Sequence, residues 1–105
     1  RITGGIKVVE VDHKAKKLIR IRAELIGNKI SDIMFSGDFF MIPESKLQDL
    51  ESSLKGVTIS REELMKRMHK FYEKSRSETP GIAPEDFVDA LMKLKKFTET
   101  YALPT

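Results

Sequence analysis

"LIRIRAEL", Leu18 to Leu25, is the stretch that decides the fold. Successive side chains of a strand point to opposite faces. Ile19, Ile21, Ala23 and Leu25 therefore share an apolar face, and Leu18, Arg20, Arg22 and Glu24 share a face that is wet or meets a partner. A strand with one dry face belongs to an antiparallel sheet covered on one side only. Upstream, "GIKVVEV" (Gly5 to Val11) is β-rich but apolar on both faces, with Ile6 and Val8 opposing Val9 and Val11. "DHKAK" (Asp12 to Lys16) reads as the polar hairpin loop between the two strands. Downstream, Gly27 and Asn28 form a turn signal before "KISDIMF" (Lys29 to Phe35), a third strand with Met34 on the outward side. Three strands on short loops make an antiparallel meander.

From Pro43 onward the apolar period becomes helical. Leu47, Leu50 and Leu54 fall on one face of a first helix, which Gly56 should end. Ser60 is an N-cap with Glu63 three residues on, a capping box, and Ile59 and Leu64 stand where a hydrophobic staple would. Leu64, Met65, Met68, Phe71 and Tyr72 are the buried stripe of this second helix. "SRSETPGIAP" (Ser75 to Pro84) breaks the pattern. A third helix opens on Pro84, carries Glu85 and Asp86 at the positive end of its dipole and Lys93, Lys95 and Lys96 toward the negative end, and turns Phe87, Leu91, Leu94 and Thr98 inward. The expected class is α+β, a three-stranded antiparallel meander followed by three helices packed on one face.

At 105 residues, 1–105 makes one domain, and 40% hydrophobic residues can fill its core without staples. No cysteine is present, so disulfides, thiolate metal sites, cysteine-ligated iron–sulfur clusters and a cysteine nucleophile are excluded. No apolar run approaches the roughly 20 residues a bilayer span needs, and no signal segment opens the chain. The expectation is a cytoplasmic protein with no membrane partner. The first residue, Arg1, is not methionine, which points to something upstream. The net charge of +3 comes from 19 basic and 16 acidic residues spread along the chain. Only "HKAKK" (His13 to Lys17) and "KLKK" (Lys93 to Lys96) cluster, too diffuse a pattern for a nucleic-acid footprint.

His13 reads as a loop histidine and His69 as a helix-flank histidine, far apart and without a ligand-spaced carboxylate, so no metal site is expected. Gly4 and Gly5 precede a strand and do not open a helix, so they form a lead-in and not a phosphate loop. No serine or acid is paired with a histidine at a catalytic spacing. Met65, Met68 and Met92 are core filler. No self-sufficient active site, catalytic residue or bound cofactor is expected of this chain.

Two features rise above that background. The outward sheet face mixes Arg20 and Arg22 with Leu18, Met34 and one valine pair, the blend of arginine and aliphatic residues that interfaces favour. The second is "GDFF", Gly37 to Phe40. Gly37 permits a turn closed to other residues, and Asp38 can accept backbone N–H bonds there. Phe39 and Phe40 are neighbours in the chain, so one ring enters the core and the other faces the rim or a partner. The candidate interface is therefore Leu18, Arg20, Arg22, Met34, Asp38, Phe39 and Phe40. A small basic nucleic-acid-binding or regulatory module is the rival reading, and steeply salt-dependent binding would mark it.

Gly27 and Ile30 of the turn and third strand, "GDFF", and the L-x-x-L-x-x-x-L-x-G series of Leu47, Leu50, Leu54 and Gly56 resemble, in order and spacing, the C-terminal accessory domain of lipoate–protein ligases. The resemblance runs from Gly5 to at least Met68. It implies a non-catalytic accessory role in an ATP-dependent system that activates lipoate as lipoyl-AMP and transfers it to a carrier-domain lysine. ATP, Mg and lipoate would be bound by a large catalytic partner, whose glycine-rich loop and catalytic lysine have no counterpart here. The resemblance further implies a heterodimer with that subunit and an indirect relation to lipoyl-carrier domains. The chain would be the separately encoded small subunit of a split, archaeal-type ligase or an excised domain.

Overall fold

A computed structural model describes residues 5–98; Arg1 and Gly4 lie outside them. Three strands, β1 (Ile6–Lys14), β2 (Leu18–Ile26) and β3 (Lys29–Gly37), form one antiparallel sheet in the order β1-β2-β3. Helices α1 (Lys46–Ser53), α2 (Arg61–Ser75) and α3 (Pro84–Met92) follow, with a short α4 (Lys95–Thr98) after a break. The expected meander and helix order are present. β1 is longer than its composition suggested: it runs through Asp12, His13 and Lys14, so the hairpin loop shrinks to Ala15–Lys17 and His13 is a strand residue.

Pairing of Val9 with Ala23 and Val11 with Ile21 settles which valines are inside. Val9 and Val11 are buried, whereas Val8 faces outward, 56% exposed. In β3, strict alternation would send Ile30 and Ile33 to opposite faces. A register shift between Glu24 and Leu25 pairs Glu24 with Asp32 and Leu25 with Ile30, which leaves Ser31 as the extra residue of a bulge. Both isoleucines consequently reach the core.

The helices form two tiers. α3 packs on β1 and β2, α1 packs on β3, and α2 covers α3 and α1 from outside. Being in the middle tier explains why α3 buries Val88 and Ala90 as well as the expected Phe87 and Leu91. α3 stops at Met92, with Lys93 as its C-cap, so the expected run to Thr98 is broken. Thr98 is only partly buried, in α4. The lysines of the break tie elements together: Lys93 Nζ donates to the Asp12 carbonyl at 2.9 Å. At α2, the Ser60 hydroxyl accepts from the Glu63 N–H at 3.1 Å. The reciprocal half of the capping box is replaced, because the Ser60 N–H donates to the Thr58 carbonyl. Ile59 and Leu64 are fully buried, as a staple requires.

Two backbone links close the molecule around these layers. Residues 56–59 pair along the start of β3, through Ile30 N–H to the Val57 carbonyl and Ile59 N–H to the Asn28 carbonyl. The segment after β3 is clamped to the α2–α3 loop by reciprocal Ile42–Glu78 bonds of 2.8 and 2.9 Å. Ile42–Pro43 is a cis peptide.

Candidate functional site

The uncovered face of the sheet carries, in register, Val8, Glu24 and Asp32; then Glu10, Arg22 and Met34; then Asp12, Arg20 and Ser36. Leu18 lies half-buried at the end of β2, and Ile26 is exposed at the other end of the strand. Thus Leu18, Arg20, Arg22 and Met34 do share one surface. Met34 is 60% exposed, a large apolar side chain that isolated folding leaves in water.

The two arginines differ in their commitments. Arg20 is fastened to Asp12 by two bonds, Nε to Oδ1 at 2.8 Å and a second from the guanidinium to Oδ2 at 3.1 Å. Those bonds hold the Asp12 carboxyl below its ordinary value against the opposing effect of desolvation, and the charges of Arg20 and Lys93 add to the lowering. Asp12 in turn raises the Arg20 pKa, with Glu10 and Asp38 adding to the effect. Arg20 is therefore surrounded by acids of its own chain. Arg22 stands opposite Glu10 and Met34, and no ion pair of Arg22 is present among the described residues.

The edge of β3 is blunted against strand addition by one side chain of α1 and one of its own. The Phe35 N–H donates to Glu51 Oε2 at 2.8 Å, and the Ile33 N–H donates to Asp32 Oδ1 at 2.9 Å. Recognition on this side of the molecule must use the face.

At the end of β3 the chain turns at Gly37, with φ +134°. A Cβ there would strike the Leu18 carbonyl, so only glycine fits. The Asp38 N–H donates to that same carbonyl at 3.0 Å. Asp38 itself is exposed, and its side chain makes no turn bond among the described residues. Beyond the corner the chain alternates again: Phe39 and Met41 point inward, Phe40 and Ile42 outward. Phe39 packs edge-on against Phe87, ring centroids 5.3 Å apart and planes at 83°. Phe35 meets the same ring at 5.3 Å and 77°. Phe39 is thereby the inward ring, partly buried against the core, and Phe40, 55% exposed, is the outward one. Sequence reasoning left Val8 as an open choice and passed over Ile26 and Ile42. Period-two alternation beyond Glu24 and Phe40 was the signal for the latter two.

Neither histidine joins a metal-binding group. His69 Nε2 lies 3.2 Å from Glu85 Oε2 on α3, and among the described residues no three histidine, cysteine or acidic side chains converge on a cation site. No helix of the described residues is long and apolar enough to cross a membrane.

Comparison with known proteins adds three findings. The family described as bacterial lipoate protein ligase C-terminus matches residues 15–91. The lipoate-protein ligase A subunit 2 of Thermoplasma acidophilum is 48% identical over 79 residues, which are 74% of this chain and 81% of that protein. A chain from a structural analysis of an archaeal lipoylation system, a bi-partite lipoate protein ligase and its E2 lipoyl domain from the same organism, superposes with a TM-score of 0.72. It is 42% identical, and the match covers 82% of this chain and 96% of that one. With the meander, the glycine corner and the tiered helices in place, the matched span of 77 residues shows that this chain belongs to the lipoate–protein ligase C-terminal family.

Proposed function

We propose that the chain is the non-catalytic second subunit of a two-part lipoate–protein ligase. It would act with a large catalytic subunit in the cytoplasm to activate lipoate as lipoyl-AMP and to lipoylate carrier-domain lysines. The observation that carries this reading is the 48% identity, spread over four-fifths of a protein named as subunit 2 of such a ligase. ATP, Mg and lipoate belong to the large subunit in this reading. What the small subunit supplies is closure, since an adenylating site must order its loops and exclude water before reaction.

Docking uses the open sheet face together with the rim beyond Gly37. Val8, Met34 and Phe40 are exposed apolar side chains, and Arg22 stands opposite Met34 in the sheet register. Apolar groups with an arginine between them suit the desolvated centre of an interface. Arg20 contributes less, because its charge is already matched by Asp12.

Lipoate-dependent ATP–pyrophosphate exchange tests the reading. The purified chain alone should give none, the large subunit alone little, and the two together a rate at least about tenfold higher, as expected when closure is assembled by the partner. Exchange by this chain alone, or a large subunit indifferent to it, would remove the proposal.

A further inference from the structure

A second feature lies on the helical side of the molecule. Between α1 and α2 is a groove of about 340 Å³, within the size range of small-ligand sites. Arg67, Lys70 and Lys74 line it from one stripe of α2, at i, i+3 and i+7, and Lys46 lines it from α1. Its single acidic lining residue, Asp49, is 3.5 Å from Lys46. None of Arg67, Lys70 and Lys74 has a carboxylate partner among the described residues. Cations three and four apart on a helix repel one another, so the stripe is unfavourable for the helix by itself. Lys74 suits the negative end of α2, but Arg67 and Lys70 lie too far from the terminus for that role.

Arg67 has a further property. One of its nitrogens donates to the Ser53 carbonyl at 2.8 Å, which anchors the partly buried side chain against the end of α1. A guanidinium fixed at one nitrogen keeps further N–H groups in a rigid fork, the arrangement that grips phosphate oxygens bidentately. The stripe spans about 10 Å along the axis, at about 1.5 Å per residue, enough for two linked phosphates but more than one. Phe71 forms an apolar floor, and the Ser75 hydroxyl, which accepts from the Ser77 N–H at 3.2 Å, can still donate into the groove. We propose that the α1–α2 groove of Arg67, Lys70, Lys74 and Lys46 is a binding site for a diphosphate group, either free pyrophosphate or the phosphates of a nucleotide. It is separate from the open sheet face, and its test does not depend on the large subunit.

The experiment is a titration of the isotope-labelled full chain, followed by amide NMR shifts at physiological salt, with inorganic pyrophosphate, ATP, AMP and orthophosphate as separate probes. Saturable shifts confined to residues 46–53 and 67–75 are expected with pyrophosphate and ATP, and at least about tenfold weaker binding with AMP and orthophosphate, which carry one phosphate. Equal binding of pyrophosphate and ATP would assign the site to the free anion; tighter binding of ATP would assign it to a nucleotide. Arg67→Lys keeps the charge and removes the fork, and should weaken pyrophosphate about tenfold. Lys70→Ala with Lys74→Ala, both on the surface, should do so without altering the circular dichroism spectrum. Absence of saturable shifts, equal response to all four anions, or a folded double variant that binds unchanged would overturn the proposal. So would an oligo-glutamate peptide that binds the groove more tightly than pyrophosphate, since the groove would then be a protein-docking surface.

Discussion

Phe39 and Phe40 show how one residue of displacement separates two roles. Phe39 shares the Phe87 ring with Phe35, and Phe40 stands in solvent. Phe39→Ala should cost about 3 kcal/mol of unfolding free energy, the low end for a truncated phenylalanine because the ring is only partly buried. Phe40→Ala should leave the melting temperature unchanged while weakening the complex with the large subunit, and thermal melts beside calorimetric titration check both. Asp12 gives a pH prediction with a defined sign. Its carboxyl lies below the ordinary value of 3.8 in the folded chain, chiefly through the Arg20 hydrogen bonds. A depressed acid contributes stability that is present above its unfolded pKa and is lost as pH falls through the folded value. The contribution should therefore begin to fall as pH drops below 3.8 and be lost as pH passes the lower folded value. NMR titration of Asp12 should show this, and Arg20→Gln should return the midpoint toward 3.8.

At the scale of elements, the ends of α2 set how the helices are joined. Its C-cap, Arg76, sits in the left-handed region at φ 55°, where a side chain is strained and glycine is not. Arg76→Gly should stabilise the protein by about 0.5–1 kcal/mol, read from chemical denaturation, because the relief of strain exceeds the added freedom of the unfolded chain. The following loop is held by a relay. The Thr79 hydroxyl donates to the Ile82 carbonyl at 2.9 Å, so the Tyr72 hydroxyl, 2.6 Å away, must be the donor to Thr79. Burial pushes the Tyr72 phenol up, and a phenol that donates its proton to Thr79 is held further in its neutral form. Thr79→Val keeps the shape but strands a phenol and a carbonyl, and should cost about 1–3 kcal/mol in the same measurement. α3 was legible as a helix from Pro84 and its acids, but its second buried side was not. Val88 and Ala90 are covered because α2 packs over a helix already lying on the sheet.

For the whole molecule, the open sheet face is the surface left when the helices of the described residues have gone to the other side. If that face meets the large subunit, Val8→Asp with Met34→Asp should leave the isolated chain folded and weaken the complex by at least about a hundredfold. That corresponds to roughly 3 kcal/mol for two apolar side chains replaced by charges that stay desolvated. Calorimetric titration with circular dichroism as the folding control measures it, and unchanged affinity would move the interface to the helical side. Local pattern determined the three strands, the three main helices, the N-cap at Ser60 and the glycine at the corner, because period, cap and turn chemistry act between residues close in the chain. It also showed that Arg20, Arg22 and Met34 share an outward side. Tertiary structure alone decided the rest: the parity of β1, the bulge at Ser31 that turns both Ile30 and Ile33 inward, and the pairing that commits Arg20 to Asp12. It also set the choice of Phe39 over Phe40 and the convergence of α1 and α2 lysines on one groove. Each of these depends on which distant residue arrives opposite. That is fixed by register and by layer order when the core closes, and no window of neighbouring residues contains it.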